Sequence, residues 1–361
     1  MKIITPIEIN DSNMVSTIPE PDASQGEVEW LDPSIGTVDF DFSSDIIVQT
    51  LLHSSGDSYL LSYVESGDNH LFKIDKDDQS ISIVASYSSG IYRTMAEGFD
   101  GNIYFAGQSS QFMKYTVNTS TLSFFGTSEP YYYSSCTGLD GNIYLSGTED
   151  LTKQFTKIDV TTLSVTKFGS PGQFVGDMTL SDDGFMYGLT DRVDGEVSIL
   201  KIDAYSLKFS TALTISAIAT KISSANDYLL LAGSGSFIKV NTDGYSFQAF
   251  GSLRGVASKL INVRDDIFYC SAFDNETSIA FIDADNFDVI NLESEGERGN
   301  IVANGEYVYA FKRFTGDSVR FNLVPVVGER FIYKPTHKIY AVATSNTDNP
   351  AEGVNKIPEL G

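Results

Sequence analysis

Short apolar runs, separated by turns that contain glycine and aspartate, recur along most of the chain. The clearest example is GFDGNIYFAG at residues 98–107, and the pattern returns as GLDGNIYLSG at residues 138–147. An Asp-Gly pair ahead of β-branched and aromatic residues favours a tight turn into a strand, because glycine readily adopts positive φ. Two copies of one phrase indicate a structural repeat.

Seven such units follow one another from about residue 45 onward. Their turns are Gly56-Asp57, Asp100-Gly101, Asp140-Gly141, Asp183-Gly184, Asn226-Asp227, Asp265-Asp266 and Asn304-Gly305. An apolar strand follows each turn, and five units add a later strand that ends in Asp or Asn, such as FKID at residues 72–75. A period of about forty residues with four strands per unit is typical of β-propeller blades. The sequence therefore predicts an all-β fold, a seven-bladed β-propeller with four-stranded blades over residues 35–324.

The seventh unit is one strand short. Its three strands are expected at residues 301–303, 307–310 and 319–321. Pro325 then breaks the pattern, because proline cannot donate a ladder hydrogen bond. The alternation of Val38, Phe40 and Phe42 predicts the missing outer strand at residues 37–42. Pairing of this N-terminal strand would close the ring and cover the edges of an open array.

Composition supports an all-β fold and narrows the range of partners. Aromatic residues make up 12% of the chain, and most of them are Tyr and Phe, which favour strands. The formal net charge is −24, without a cluster of lysine or arginine. Because a negative net charge of this size repels phosphate groups and anionic lipids, we expect no nucleic-acid partner and no membrane insertion. No segment approaches the roughly 18 apolar residues of a membrane-spanning helix.

The cysteines and the N-terminus bear on the cellular compartment. Cys136 and Cys270 fall in predicted strands of different units, so we expect buried free thiols rather than a disulfide framework. The first residues lack an apolar core long enough for a signal peptide. We therefore expect synthesis in the cytoplasm.

The two ends of the chain differ from the repeat. Proline-containing residues 1–34 predict an extended N-terminal arm, and residues 325–361 predict a β-hairpin followed by a polar arm. The N-terminal segments IEI, TIPEPD and GEVEW at residues 7–9, 17–22 and 26–30 resemble the leader of tail and baseplate proteins of tailed bacteriophages. The predicted hairpin resembles the second half of a small carbohydrate-binding β-module that follows this leader in such proteins. A propeller would then be inserted between the leader and the half-module.

This resemblance implies a structural virion protein of the tail, the baseplate or the fibre-attachment point, present in multiple copies in a symmetric assembly. Its terminal arms would dock onto other virion proteins. The residues expected at these contacts are Ile18, Pro19, Pro21, Trp30, Tyr333 and Tyr340. The protein would be made in the host cytoplasm and reside in the virion, with host surface glycan as a further partner.

One face of the predicted propeller is the expected binding surface. Loops between second and third strands, and loops between blades, share that face, and loops on a rigid scaffold commonly carry function. The candidate ligand- or partner-binding residues there are Asp68, His70, Tyr131, Tyr132, Asp150, Asp191, Asp194 and Asp274. The tyrosines would stack on sugar rings or anchor a protein; alternatively, alternate tyrosines of the run face the core.

The sequence predicts no catalytic residue, no metal site and no cofactor. Calcium requires six to eight oxygen ligands, and no loop has the D-x-D-x-D-G spacing that supplies them. The histidines His53, His70 and His337 are isolated in the sequence. Two other function classes stay open beside a virion structural protein without enzymatic activity. One is a host-receptor or glycan-binding adhesion protein, and the other is a propeller glycosidase or lyase that uses paired carboxylates of the acidic face.

Overall fold

The computed structural model describes residues 36–37, 42, 45–65, 67–88, 90–128, 131–147, 155–253, 255–273, 277–293, 298–304, 307–312, 318–322, 330–334 and 338–342. The regular elements in these residues are β-strands and one 3-10 turn at Val117–Thr119. The strands form seven four-stranded sheets and one two-stranded sheet. The prediction of an all-β propeller with four-stranded blades is therefore confirmed.

The strands follow one another with short turns and loops. The first fifteen are β1 Gly36–Thr37, β2 Ile46–Leu52, β3 Ser58–Tyr63, β4 Asn69–Ile74, β5 Ile81–Tyr87, β6 Ile91–Glu97, β7 Ile103–Gln108, β8 Phe112–Thr116, β9 Thr121–Phe125, β10 Ser134–Thr137, β11 Ile143–Ser146, β12 Phe155–Ile158, β13 Val165–Phe168, β14 Val175–Leu180 and β15 Met186–Thr190. The others are β16 Val197–Asp203, β17 Lys208–Ile215, β18 Ala219–Ala225, β19 Tyr228–Gly233, β20 Phe237–Asn241, β21 Phe247–Phe250, β22 Val256–Arg264, β23 Ile267–Phe273, β24 Thr277–Asp283, β25 Asp288–Glu293, β26 Arg298–Asn304, β27 Tyr307–Lys312, β28 Ser318–Asn322, β29 Arg330–Lys334 and β30 Lys338–Val342.

Six blades are each built from four consecutive antiparallel strands, beginning with β2, β6, β10, β14, β18 and β22. A further four-stranded sheet has the order β1-β28-β27-β26, so its outermost strand comes from the N-terminal side of the chain. The first strands of the blades lie side by side in a circle. β2 contacts β6, and the neighbour relation continues through β10, β14, β18, β22 and β26 back to β2.

The expected closing strand at residues 37–42 was wrong in its extent. The described strand is Gly36–Thr37, and Phe42 lies outside any strand. Phe42 is buried instead, with its ring centroid 5.2 Å from that of Phe72 and 5.6 Å from that of Phe311. Its apolar character therefore serves packing between the first and last blades rather than a strand face. Residues 38–41 lie outside the described part of the chain.

Hydrogen bonds of side chains also join the first blade to the last. The Thr50 hydroxyl donates to the carbonyl of Ile301 at 2.6 Å, and the Ser58 hydroxyl donates to the carbonyl of Ala303 at 2.9 Å. Both hydroxyls are buried, so each bond satisfies a group that would otherwise lose its water partner without compensation.

Burial depends on the position of a strand within its blade. Second strands such as β3 and β19 are almost wholly buried, because neighbouring blades cover both of their faces. Fourth strands such as β9 and β21 expose several residues. The predicted buried free thiols are confirmed, since Cys136 and Cys270 are both buried and unpaired.

The first strands carry a recurring irregularity that later positions the candidate site. The register against the second strand shifts between Ile47 and Gln49 in β2 and between Val175 and Asp177 in β14. Equivalent shifts occur in β6, β18, β22 and β26. A bulge of this kind redirects the side chain that follows it.

The chain divides into two compact units, Thr37–Val319 and the terminal segments Met1–Gly36 with Arg320–Gly361. In the terminal unit, β29 and β30 pair antiparallel with Tyr333 opposite Ile339, so the predicted hairpin is confirmed. The expected docking side chains lie outside the described part of the chain, and their role stays a prediction. These are Ile18, Pro19, Pro21, Trp30, Tyr333 and Tyr340. Among the described residues, no helix is long and apolar enough to cross a membrane.

Candidate functional site

The residues predicted on the acidic loop face are only partly available for binding. Asp68 is exposed in the loop after β3. His70 lies half-buried on β4, where its Nδ1 is hydrogen-bonded to Asp45 Oδ1 at 2.9 Å. Asp45 is buried and also accepts a hydrogen bond from the Ser62 hydroxyl. His70 is therefore part of a buried polar network rather than a free ligand group.

The tyrosine run divides between core and surface. Tyr132 is 1% exposed, and its hydroxyl is hydrogen-bonded to Thr156 Oγ1 at 3.0 Å. Its predicted role as an exposed binding residue is wrong, because its ring packs in the core 5.7 Å from that of Phe112. Tyr131 is half-buried at φ +80°, and Tyr133 lies under the guanidinium of Arg93.

The remaining candidates do not form a described cluster. Asp191 and Asp194 are exposed in the loop between β15 and β16. Asp150 and Asp274 lie outside the described residues. Within the described part of the chain, no group of three or more His, Cys, Asp or Glu side chains could hold a metal ion.

A central channel forms a concave feature to which several blades contribute. It has a volume of about 650 Å³, within the range of about 300–1,000 Å³ that is usual for small-molecule sites. Its wall consists mainly of first-strand residues, so each blade contributes a short piece of it. Residues far apart in the sequence therefore meet on one surface.

Polar side chains occupy one equivalent register position on all of the first strands. Each faces the same place in its second strand, as Gln49 faces Leu61, Asp177 faces Leu189 and Lys259 faces Ser271. We call this set the channel ring. Its members are Gln49, Thr94, Ser134, Asp177, Lys221, Lys259 and Asn300. Gln49, Ser134, Asp177 and Lys259 line the cavity.

Lys259 is the central charged group of the channel ring. Its Nζ donates to Gln49 Oε1 on the first blade at 2.8 Å. Desolvation in the channel wall lowers the pKa of Lys259 to about 8; the negative charge of Asp177 opposes this effect, and the positive charge of Lys221 adds to it. At neutral pH most Lys259 side chains are therefore still protonated.

Asp177 is held by the blades on either side of it. Its Oδ2 accepts a hydrogen bond from the backbone N–H of Ile222 at 3.0 Å, and its Oδ1 accepts one from the Ser134 hydroxyl at 3.4 Å. These donors fix the carboxylate in one orientation. The channel thus presents the fixed carboxylate of Asp177, the carboxylate of Glu97, the Lys259 ammonium and the Gln49 amide to any molecule that enters it.

Another set of charged residues recurs at the turns between first and second strands, and its arrangement is structural. In three blades an aspartate accepts hydrogen bonds from a tyrosine hydroxyl at 2.7–2.9 Å and from a lysine Nζ at 2.6–3.0 Å. The three sets, which we call the turn triads, are Asp100 with Tyr104 and Lys114, Asp140 with Tyr144 and Lys157, and Asp183 with Tyr187 and Lys201. The tyrosines are buried and also bond neighbouring blades, as the Tyr144 hydroxyl is 2.8 Å from the carbonyl of Ala204.

The sequence analysis did not predict the channel ring. A single polar residue beside an apolar one in a first strand looks like ordinary alternation. Alignment on the turns does not reveal the ring, because its members lie at different offsets from them, and only the strand register shows their common position. Gln49, Asp177, Lys221 and Lys259 lie 8, 7, 6 and 7 residues before Asp57, Gly184, Asp227 and Asp266. Polarity is constant at that position while residue identity varies.

Comparisons with known proteins show the fold. No protein-family model and no curated protein matches the chain. A virginiamycin B lyase from Staphylococcus aureus superimposes with a TM-score of 0.65 at 13% identity, covering 80% of this chain and 99% of that one. A streptogramin B lyase gives 0.63 at 13% identity and covers 79% and 95%. Hydrazine synthase from Kuenenia stuttgartiensis gives 0.60 at 11% identity and covers 80% and 97%. At such identities the likeness extends to the β-propeller fold alone.

Proposed function

We propose that the chain is a display protein of a tailed-bacteriophage virion, situated in the tail, the baseplate or the fibre-attachment point. The observation that carries the proposal is the division into a repeat unit, Thr37–Val319, and a unit made from both chain ends. Such a division suits a protein that is anchored by its terminal segments and presents a rigid propeller. The phage assignment rests on the resemblance of the leader and the hairpin.

The charged residues of the turn triads support a display protein rather than an enzyme that uses these repeated positions. The turn triads use their carboxylates and ammonium groups in hydrogen bonds within and between blades. These groups hold the scaffold, which leaves the loop face and the channel to contact other molecules. On this proposal host surface glycan would meet the outward face, and other virion proteins would meet the terminal unit.

The test uses phage particles from a host that produces the protein. Particles purified on a density gradient would be analysed by mass spectrometry, and antibodies raised against the propeller would be used for immunogold electron microscopy. We expect the chain in the particles at a stoichiometry set by the tail symmetry, with gold at the tail. Its absence from purified particles, together with its presence in the soluble lysate, would overturn the proposal.

A second candidate is a lyase, which the channel ring favours. An amine with a pKa of about 8 beside a fixed carboxylate is a group that can exchange protons near neutral pH. The test is to incubate the chain with virginiamycin B and follow loss of the compound by mass spectrometry, with Lys259→Gln as the matched variant. Loss of virginiamycin B with the wild type but not with Lys259→Gln would support the lyase candidate. Intact virginiamycin B after prolonged incubation with the wild type would exclude it.

A further inference from the structure

We propose that the central channel is a binding site for a small organic carboxylate that also bears hydroxyl groups, of the class of an acidic monosaccharide. Lys259 would bind the carboxylate, and Gln49 would assist from the facing blade. This proposal goes beyond display on a virion and does not depend on it, because the residues that carry it all lie in the propeller.

The first argument is the imbalance of hydrogen-bonding capacity in the wall. An ammonium group has three N–H donors. Among the described residues, Lys259 donates only to Gln49, and Lys221 has no hydrogen-bond acceptor. Asp177, by contrast, already accepts from Ile222 and Ser134. The capacity left in the wall is therefore mainly that of the Lys259 ammonium, which suits an anion.

The second argument concerns charge. Of the charged residues that line the cavity, Asp177 and Glu97 already accept hydrogen bonds from other residues, whereas the ammonium of Lys259 has a single neutral partner. The Lys259 ammonium therefore attracts a small monoanion inside the channel, while the net charge of −24 repels polyanions at the surface. Nucleic acid and anionic polymers are thus disfavoured, whereas a single carboxylate is not.

The third argument is the mixed character of the rest of the wall. The apolar residues Met178, Leu260 and Ile301 line the same cavity as Ser223 and Ser224. Sites for small ligands usually combine an apolar surface with a few polar groups that fix orientation. A hydroxylated ring acid offers both an apolar face and hydroxyl groups, and a ligand of that size fits within about 650 Å³.

The experiment measures binding to the full chain by isothermal titration calorimetry and by saturation-transfer NMR. The probes are D-galacturonate, its neutral parent D-galactose and inorganic phosphate. The test variant is Lys259→Gln, and Lys221→Gln is a second variant on the adjacent blade. The matched control is Lys208→Gln, which removes the same charge from an exposed position on β17. Thermal unfolding of each variant establishes that it is folded.

We expect galacturonate to bind more tightly than galactose and phosphate. Lys259→Gln should weaken galacturonate binding by about tenfold or more, Lys221→Gln should weaken it by a smaller factor, and Lys208→Gln should leave it unchanged. Equal binding of galactose would overturn recognition of an anion, and preferred binding of phosphate would overturn the carboxylate class. Absence of galacturonate binding, or binding that folded Lys259→Gln retains in full, would overturn the site.

Discussion

The turn triads and the channel ring are two repeated polar features of the same blades, and they use charge in opposite ways. In the turn triads the residue types recur, so Asp140, Tyr144 and Lys157 have counterparts of identical type in two other blades. In the channel ring only polarity recurs, and the side chains range from Ser134 to Lys259. Residue types that are the same in several blades indicate a role in the repeated scaffold. Residue types that differ from blade to blade at one register position instead form a single asymmetric surface.

Hydrogen-bond partners lead to the same distinction. Burial acts to raise the pKa of Asp140, but hydrogen bonds from Lys157, Asn142 and Tyr144 outweigh it and hold that pKa below its ordinary value. Lys259 has one amide partner and a lowered pKa, so its charge is poorly compensated by the protein itself. A compensated charge stabilises the fold, and an uncompensated one is available to a ligand.

The largest expected effect is a loss of stability when a side chain is added at Gly233, a glycine beside one of the bulges that precede the channel ring. Gly233 on β19 lies opposite Ala219, beside the bulge that precedes Lys221. A Cβ at Gly233 would overlap the carbonyl oxygen of Ile218, which is backbone and cannot move aside cheaply. We expect Gly233→Ala to lower the free energy of unfolding by about 3 kcal/mol or more, measured by urea denaturation.

Gly176→Ala is the matched control for Gly233→Ala. Gly176 is also a strand glycine, and its added Cβ would meet the nearest atoms, in Phe174 and Asp191, at 3.4 and 3.5 Å, which is ordinary contact. Its effect should stay within about 1 kcal/mol. Equal stability of Gly233→Ala and the wild type would show that the bulged first strand adapts easily, and that the channel ring is not held in place by its second strand.

The second-largest expected effect is a loss of stability in a variant of a turn triad. Asp140→Ala removes the acceptor of both the Tyr144 hydroxyl and Lys157 Nζ. Because the tyrosine is buried and the lysine is mostly covered, we expect a loss of about 2–3 kcal/mol in the free energy of unfolding. The control is Asp68→Ala in an exposed loop, which should change stability by about 0.5 kcal/mol at most. Comparable losses in the two variants would remove the distinction between scaffold and surface carboxylates.

Much of the fold was accessible from the sequence because its determinants are local. Turns such as Asp140-Gly141 require a residue that adopts positive φ, and Gly141 has φ +76°. The strands after these turns are apolar on both faces, since both faces are covered by neighbouring blades. Turn chemistry and strand burial therefore repeat together, and the period could be recognised without any long-range information.

The errors arose where the outcome depended on long-range packing. Phe42 fitted a strand by alternation, but it packs against Phe72 and Phe311, which come from opposite ends of the repeat. The sequence did not decide whether Tyr132 faces the binding surface or the core, and only the folded chain shows its hydroxyl meeting Thr156. The channel ring has the same origin, since closure of the circle is what brings Gln49 to Lys259.

Acid titration separates the turn triads from the channel ring through proton linkage. Because the pKa of Asp140 is lowered in the folded state, its contribution to stability is fully present above the ordinary value of 3.8 and is lost as the pH falls through the folded pKa. We expect Asp140→Asn to be less stable than the wild type above pH 3.8, and the difference should narrow as the pH falls further. Urea midpoints over this range measure it. A difference independent of pH would mean that geometry, not charge, matters at this turn.

The smallest expected effect is a difference in stability between two lysine-to-methionine variants, one in a turn triad and one in the channel ring. Lys157→Met breaks the ion pair with Asp140 at 2.6 Å and should destabilise the protein. Lys259→Met removes a desolvated charge, and we expect it to raise the free energy of unfolding by about 1 kcal/mol at neutral pH. The pH dependence gives the sharper criterion, because the folded pKa of Lys259 is about 8 and its ordinary value is 10.5.

Below about pH 8 both the folded and unfolded states carry the Lys259 proton, so the desolvation penalty is fully present in the wild type. Between about pH 8 and 10.5 the folded state releases the proton first, and the penalty disappears. The advantage of Lys259→Met should therefore be greatest below about pH 8 and shrink toward pH 10.5. Other groups titrate alike in both proteins, so the difference between their urea midpoints isolates Lys259. If Lys259→Met instead destabilises the protein as Lys157→Met does, the channel lysine is a scaffold residue like those of the turn triads.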